Sequence, residues 1–337
     1  MNSDKNELVR SLHLSGTITF ALRLVIGWTY FSAFWRRLIL ENKLDPDAAG
    51  YIGEKFNHFL PNALGIKPLI EHLVSNPDAL WWAMASFTII EAIVGLFIML
   101  GLFTRLMSMG VIFLAMGILL GSGWLGTTCL DEWQIGVLGV AGGFTILLSG
   151  GGKFSMDNWL ALKYSFFERR LFKRGLDNNK ISKIALGGAI VILFITLYTN
   201  QYFHGGVWGD LHNMSVKPKV EISEAHIENG KLSFTVFRVE GADVYGSFLI
   251  GITLKDANGK NILNLDGKAL STFPKQNIVN EYIAKVKPGK HSMVLPLGAK
   301  ARLILKNEAL KNAALGRYTL ILTDISGIEW KHKITVE

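Results

Sequence analysis

WLGTTCLDEWQ, residues 124–134, decides how this chain folds, because it is a short polar break between two long apolar runs. The runs extend from Leu106 to Gly123 and from Trp133 to Leu148. The break holds Cys129, the single cysteine in 337 residues. If both runs cross a bilayer, the thiol lies at the water boundary just before a helix begins. Backbone N–H groups and the helix dipole at that position favour a thiolate and attract anions.

The composition indicates a membrane protein with a soluble appendage. Half of the residues are hydrophobic, 18% are charged and 35 are glycine, which is too apolar for an ordinary soluble enzyme. One cysteine excludes a disulfide framework, a Cys-X-X-Cys redox pair and haem c attachment. No stretch reads as a G-x-G-x-x-G or phosphate-binding loop, so no nucleotide cofactor is indicated. The polar N-terminus has no cleavable signal pattern, so we expect the first apolar run to stay in the membrane.

Five apolar runs are predicted to cross the bilayer, because each is close to the length that a spanning helix needs. They are Gly16–Trp35, Leu80–Leu102, Leu106–Gly123, Trp133–Leu148 and Ile184–Tyr202. The fourth is rich in glycine, which suits close helix packing in lipid. Between the first two runs, Ala48–Phe59 and Ile66–Val74 have amphipathic spacing and are predicted to be short helices on the membrane face.

Lysine and arginine predict the orientation. Residues 151–183 carry eight basic side chains against three acidic ones, which places this stretch in the cytoplasm. Counting spans from there, we expect the N-terminus inside and residues 124–132 outside, together with everything after Tyr202. The predicted location is the cytoplasmic membrane of a bacterium. The anionic lipids of the inner leaflet account for the basic stretch, so no nucleic-acid partner is expected.

After Val207 the periodicity changes from helical to two, which is typical of strands. The alternating runs are Lys231–Val239, Ser247–Lys255, Ile278–Val286, His291–Leu297, Arg317–Asp324 and Ile328–Val336. Asn258-Gly259 lies between two strand segments and predicts a hairpin turn. Six to eight strands predict an antiparallel sandwich of immunoglobulin-like type outside the membrane.

The predicted fold is therefore an α-helical membrane domain, a four-helix bundle plus a fifth transmembrane helix, with a C-terminal all-β sandwich. The predicted boundaries are 1–158 for the four-span domain, 159–183 for the basic connector, 184–203 for the fifth transmembrane helix and 204–337 for the sandwich.

Two charged residues lie within predicted spans, where an unpaired charge is costly. Arg23 interrupts the first span and Glu91 the second. One interpretation is a structural ion pair between them. The other is functional: Glu91 handles protons or faces a bound headgroup.

Arg36 and Arg37 lie at the predicted outer boundary, where positive charge is disfavoured. They are candidates for anion capture, because a guanidinium matches oxyanions in a fork geometry. The alternative is snorkelling to lipid phosphates.

Cys129 has two interpretations, a reactive thiol before a helix start or an inert small hydrophobe. Asp131 and Glu132 weaken the first, because their charges oppose a thiolate. Trp133 and Gln134 are expected to line the same mouth or to serve as an interfacial anchor.

His204 and His212 follow the last span. A histidine at the membrane edge can shuttle protons, although ordinary surface histidines are commoner. No third ligand of suitable spacing accompanies them, so no metal site is predicted.

Strings of residues in both halves resemble a known family. They are RLVIGW (23–28), YIGEKF (51–56), LGLFTR (100–105), GTTCLDEWQIG (126–136), GDLHNMS (209–215), DVYGSF (243–248), NEYIAKVKPG (280–289) and PLGAKA (296–301). In these strings the chain resembles thiosulfate:quinone oxidoreductase of the DoxD/DoxA type, with both subunits in one polypeptide.

The resemblance implies that two thiosulfates are joined to tetrathionate while a membrane quinone, menaquinone or ubiquinone, becomes quinol. The sequence shows no haem, flavin or iron–sulfur motif, and none is needed because the reaction moves two electrons without a one-electron relay; no haem, flavin or metal is predicted. We expect Arg36 and Arg37 to hold thiosulfate and Glu91, His204 or His212 to supply protons, with Cys129 as nucleophile or with direct attack by sulfane sulfur. A non-enzymatic membrane scaffold or assembly partner and a small-anion transporter remain alternatives. The quinone type, the electron-transfer partners beyond quinone and any homo-oligomer stay open.

Overall fold

A computed structural model describes residues 13–48, 50–123, 132–164, 178–205, 207–210, 217–241, 247–311 and 315–336. The described residues form two compact units. The first is helical and contains 13–52, 81–123 and 132–210. The second contains 53–80 and 217–336, so a segment from the first half of the chain belongs with the C-terminal domain.

The helices follow the predicted apolar runs. They are α1 (Phe20–Phe34), α2 (Ile52–Phe59), α3 (Lys67–Ser75), α4 (Pro77–Leu100), α5 (Thr104–Gly121), α6 (Glu132–Ser149), α7 (Met156–Ala161) and α8 (Asn178–Phe203). A separate helical stretch, 13–18, precedes α1, and π-helical Trp35–Leu40 follows it.

Four described helices are long and apolar enough to cross a membrane, namely α4, α5, α6 and Lys180–Phe203 within α8. This confirms the second to fifth predicted spans as candidate spans. The first predicted span is divided: the helix is interrupted at Thr19, and its last part, after Phe34, is π-helical.

Glycines allow the helices of the first unit to approach each other closely. A Cβ on Gly27 of α1 would collide with the backbone of α4 at Gly95, and a Cβ on Gly95 would collide with Phe31 of α1. On α6, Gly136 and Gly139 similarly face α5. Small residues at such crossings are a common basis of helix association in lipid.

Asp157 closes one end of this unit, which we call the Gly101 end because Gly101 connects α4 to α5 there. Its carboxylate accepts hydrogen bonds from the backbone N–H groups of Phe103 (2.7 Å) and Thr104 (2.8 Å) and from the Thr104 hydroxyl (2.7 Å). These are donors that the start of α5 leaves without an intrahelical acceptor, so Asp157 caps that helix.

The second unit is an all-β domain of two antiparallel sheets. Its strands are β1 (Lys219–Glu228), β2 (Lys231–Glu240), β3 (Ser247–Lys255), β4 (Asn261–Asp266), β5 (Ile278–Asn280), β6 (Lys287–Pro288), β7 (Met293–Leu295), β8 (Lys300–Lys306), β9 (Gly316–Asp324) and β10 (Glu329–Val336), with the short helix α9 (Gly267–Ser271) after β4. One sheet has the order β1-β2-β8-β5 and the other β10-β9-β3-β7-β6, with β4 paired to β3. Buried side chains from both sheets, including Phe234, Leu254 and Leu322, form one core between them. The predicted immunoglobulin-like sandwich is consistent with this arrangement.

The hairpin predicted at Asn258-Gly259 is confirmed. It joins β3 to β4, and Asp256 Oδ1 accepts hydrogen bonds from the N–H groups of Asn258 and Lys260, both at 2.9 Å. The run Ile278–Val286 was predicted as one strand, but only its first three residues form β5.

The two predicted amphipathic helices exist as α2 and α3. Their apolar side chains pack on the sandwich, in a cluster with Leu60, Ile70, Val74, Phe237 and Tyr282. The apolar surface that the sequence pattern had suggested to be lipid is therefore provided, for these side chains, by the all-β domain.

Asn57 of α2 fixes this contact. Its side chain is fully buried, accepts a hydrogen bond from the Ala284 N–H at 3.1 Å and donates one to the Gly298 carbonyl. A buried amide with both ends satisfied stabilises one particular docking geometry, since any shift leaves a polar group unsatisfied.

Candidate functional site

An ion pair lies within the helical unit. Arg37 Nη1 is 2.6 Å from Glu91 Oε2 and donates a second hydrogen bond to the Thr88 hydroxyl at 3.1 Å. Glu91 is 3% exposed and lies in the candidate span α4, whereas the Arg37 side chain keeps 18% of its surface. The pair therefore joins a buried carboxylate to an arginine whose side chain is partly exposed.

The crossing of α1 and α4 explains why these two residues meet. Measured from the contact between Gly27 and Gly95, Arg37 lies about 15 Å along its helix and Glu91 about 6 Å along its own, at ~1.5 Å per residue and in the same direction. Helical side chains point back toward the N-terminus of their own helix. Because the helices are antiparallel, that tendency directs the Arg37 and Glu91 side chains toward each other.

The proposed pairing of Arg23 with Glu91 is wrong, and the same geometry gives the reason. Arg23 lies about 6 Å from the crossing on the opposite side, and its side chain points away from Glu91. Its guanidinium donates to the backbone carbonyls of Gly151 and Phe154 instead. It also lies 4.9 Å from the centre of the Phe20 ring. At 1% exposure, Arg23 is buried and fastens the Gly101 end.

Tyr30 and Thr88 belong to the Arg37–Glu91 cluster and were missed by the sequence reasoning. Tyr30 is 4% exposed, lies within electrostatic range of Glu91 and brings its hydroxyl against α6, where Gly139 has no side chain to obstruct it. The sequence spacing could have revealed both residues. Tyr30 lies seven positions after Arg23 and seven before Arg37, so the three share one face of the helix. Thr88 lies three positions before Glu91, so these two are neighbours on the surface of α4.

Trp133 and His204 meet at the end of the unit opposite Gly101. The indole and imidazole rings are edge to face, with centroids 5.3 Å apart, and Trp133 Nε1 donates to the Thr199 hydroxyl at 2.9 Å. His204 Nδ1 lies 3.0 Å from Asn200 Oδ1, which is an acceptor when Nδ1 carries the proton. The imidazole is thereby held in one orientation at the end of α8, close to the start of α6.

The remaining predicted residues differ in how they are placed. Arg36 is exposed, and its Nε donates to the Ser32 carbonyl at 3.3 Å, so it is placed differently from the half-buried Arg37. Gln134 is half-buried in the first turn of α6. Cys129 and His212 lie outside the described residues. Within the described part of the chain, no three His, Cys, Asp or Glu side chains are grouped as a metal site requires.

The helical unit with its candidate spans and the all-β unit that follows define an integral membrane protein with an appended sandwich domain. Two family models match this chain: DoxD, described as the TQO small subunit DoxD, over residues 18–177, and DoxA, described as the TQO small subunit DoxA, over residues 203–333. The chain is thus a DoxD/DoxA fusion and belongs to the thiosulfate:quinone oxidoreductase (TQO) family. The family assigns it an oxidoreductase role.

Proposed function

We propose that this protein oxidises thiosulfate to tetrathionate and passes the electrons to a membrane quinone. The observation that carries the proposal is the match of both TQO small subunits within one polypeptide. Each of two thiosulfates loses one electron as the S–S bond of tetrathionate forms. The quinone takes up those two electrons together with two protons and becomes quinol.

The Arg37–Glu91 cluster supports this proposal, because the reaction needs an anion site and a proton path near the lipid phase. A buried carboxylate is expensive in a membrane and is usually functional. Arg37 compensates its charge, and Thr88 and Tyr30 extend the polar group toward α6. We assign Glu91 to proton delivery to the reduced quinone and Arg37 to holding Glu91 in place.

Arg36 is the better candidate for contacting thiosulfate, since its guanidinium is exposed and is not used in the ion pair that holds Glu91. It is also within electrostatic range of Glu91, so an anion bound there lies close to the proposed proton path. A guanidinium offers a sulfonate two parallel hydrogen bonds. Trp133 and His204 form a second polar group for proton transfer at the same end of the helices, and Gln134 follows Trp133 in the first turn of α6.

Cys129 is a candidate nucleophile because it is a thiol that lies just before the start of α6 in the sequence. In one route its thiolate forms a disulfide bond to the sulfane sulfur of thiosulfate while the quinone takes two electrons and two protons. A second thiosulfate then displaces the thiolate and leaves as tetrathionate. In the other route two sulfane sulfurs join directly and the thiol is not needed.

The orientation is part of the proposal. We place the N-terminus in the cytoplasm of a bacterium and the sandwich outside, so that thiosulfate arrives from the outer compartment. Contacts between α2, α3 and the sandwich support one aspect of this topology, since they require the 53–80 segment and the C-terminal domain to be on the same side of the membrane.

The test is anaerobic turnover by the purified full chain with thiosulfate and a soluble quinone analogue. We expect one tetrathionate and one quinol for every two thiosulfates consumed. Thiosulfate-independent quinone reduction, or none at all, would overturn the proposal. Sulfide and sulfite serve as alternative donors to establish which sulfur anion is used.

Variants then separate the roles. We expect Arg36→Gln to raise the KM for thiosulfate roughly tenfold, as loss of a charged hydrogen bond implies, and Glu91→Gln to lower kcat by about 100-fold or more. Arg317→Gln, an exposed change on β9, is the matched control. Cys129→Ser decides between the two sulfur routes, because full turnover removes the thiol from the reaction.

A further inference from the structure

A groove at the Gly101 end of the helical unit lies outside the site described above. Its volume is about 590 Å³. It lies between the helical stretch 13–18 and the loop that follows α6. The residues lining it are His13, Leu14, Thr17, Lys153 and Asn158.

Both walls of the groove are fixed by backbone packing. The backbones of Gly16 and Gly152 touch so closely that a Cβ on either would collide with the other. The hydroxyls of Thr19 and Ser149 lie 2.9 Å apart across the same contact. The backbone segments that form the two walls are therefore held together at this contact.

The groove carries one exposed cationic side chain. Lys153 lies on the wall formed by the loop after α6 and makes no ion pair within the described residues, and His13 lies on the facing wall. Among the described residues that line the groove, none is a carboxylate. The nearby Asp157 is buried, and its two oxygens are engaged in capping α5.

Exposed apolar side chains lie beside the groove at the Gly101 end of the helical unit. Leu14 is 61% exposed, Ile18 72% and Phe154 57%. Further along, Lys163 Nζ lies 4.0 Å from the centre of the exposed Trp159 ring. Exposed aromatic residues mixed with lysines at the ends of spans are typical of a membrane–water interface.

We propose that this groove binds one anionic phospholipid, with the phosphate at Lys153 and an acyl chain along Ile18 and Phe154. The charge of Lys153 complements the anionic headgroup, and the exposed apolar side chains beside it favour a lipid over free inorganic phosphate. Anionic lipids are attracted to lysines near the membrane surface by about 1 kcal/mol each. The proposal does not depend on the thiosulfate reaction.

The experiment measures retention of dioleoylphosphatidylglycerol and dioleoylphosphatidylcholine by the purified full chain in detergent, using native mass spectrometry. We expect preferential retention of phosphatidylglycerol and a roughly fivefold weaker affinity in Lys153→Gln. Lys153→Arg keeps the charge and should restore binding. Lys260→Gln, at the exposed β3–β4 turn, should bind as the unaltered protein does.

Equal retention of both lipids would overturn the proposal, and so would unchanged affinity in Lys153→Gln or an equal loss in Lys260→Gln. Millimolar inorganic phosphate is included as a competitor. Displacement of the lipid by phosphate would show a simple anion site and would also count against a lipid-specific groove. Thermal unfolding of each variant without lipid establishes that a loss of binding is not a loss of folding.

Discussion

Arg37 and Glu91 are 54 positions apart in the sequence, yet their side chains pair at 2.6 Å between α4 and the π-helical extension of α1. Their burial is unequal, since Glu91 is nearly inaccessible and Arg37 is not. Removing one member of a buried pair leaves the other charge uncompensated, which costs about 3–5 kcal/mol. The cost should therefore depend on which member remains.

Arg37→Gln is expected to destabilise the protein more than Glu91→Gln. The first variant leaves a carboxylate buried without its cation, whereas the second leaves a guanidinium that can turn toward water. In the double variant the stability should recover above that of Arg37→Gln, because neither charge remains. Thermal unfolding of all four proteins in the same detergent measures this coupling. Equal losses in the single variants with an additive double variant would contradict it.

Gly298 gives a second prediction, about how α2 docks on the sandwich. Its φ is +74°, and a Cβ there would collide with the backbone of Asn57. Gly259 has φ +82° with open space around it. Gly259→Ala should thus cost only the backbone strain of roughly 1–2 kcal/mol. Gly298→Ala should cost clearly more, because the helix must move as well.

The comparison of Gly298→Ala with Gly259→Ala isolates the docking contact, since both share the strain. Thermal unfolding reports the difference in stability, and limited proteolysis reports cleavage within 53–80. We expect faster cleavage there only in Gly298→Ala. Similar melting and similar cleavage in the two variants would mean that the Gly298 contact does not hold α2.

The spans could be predicted from the sequence because the bilayer sets the length of apolar run that a helix needs. Strands such as β3 and β9 could be predicted because one face of each is buried, which leaves an alternating pattern. β1 could not, since most of its side chains are exposed and the burial alternates weakly. β8 was also missed, although its burial alternates clearly; we have no physical account of that miss.

The partners of the charged residues could not be predicted in the same way. Whether Glu91 meets Arg23 or Arg37 depends on the direction in which side chains leave antiparallel helices, and on the position of the Gly27–Gly95 crossing. Likewise, the apolar faces of α2 and α3 were visible in the sequence, but a lipid surface and a protein surface select the same amphipathic pattern. Only the buried Asn57 distinguishes them, because its hydrogen bonds need a protein surface.

The hydrogen bond between Tyr282 and Glu71 is expected to make the stability of the all-β unit depend on pH in the alkaline range. The Tyr282 hydroxyl donates a hydrogen bond to Glu71 Oε1 at 2.7 Å. Burial, and then this bond and the charge of Glu71, raise the pKa of Tyr282 above its ordinary value. The folded state therefore favours the neutral phenol. Its stabilising effect is fully present below about pH 10, the unfolded value, and is lost as the pH rises through the raised folded pKa.

Tyr282→Phe removes the hydrogen bond and should lower stability at neutral pH by about 0.5–1.5 kcal/mol, the net contribution of a typical hydrogen bond, because Glu71 is exposed and its oxygen can bond to water instead. Above about pH 10 the difference between the two proteins should shrink, because Tyr282 ionises in the unfolded chain while the folded protein still holds it neutral, which favours unfolding of the unaltered protein. Thermal midpoints of the full chain across alkaline pH measure that difference, with the exposed Tyr164→Phe as control. Glu71→Gln should move the loss to lower pH, because the charge that opposes the phenolate is gone. A difference that stays constant with pH would show that the pKa of Tyr282 is the same in the folded and unfolded states, and so would contradict the prediction.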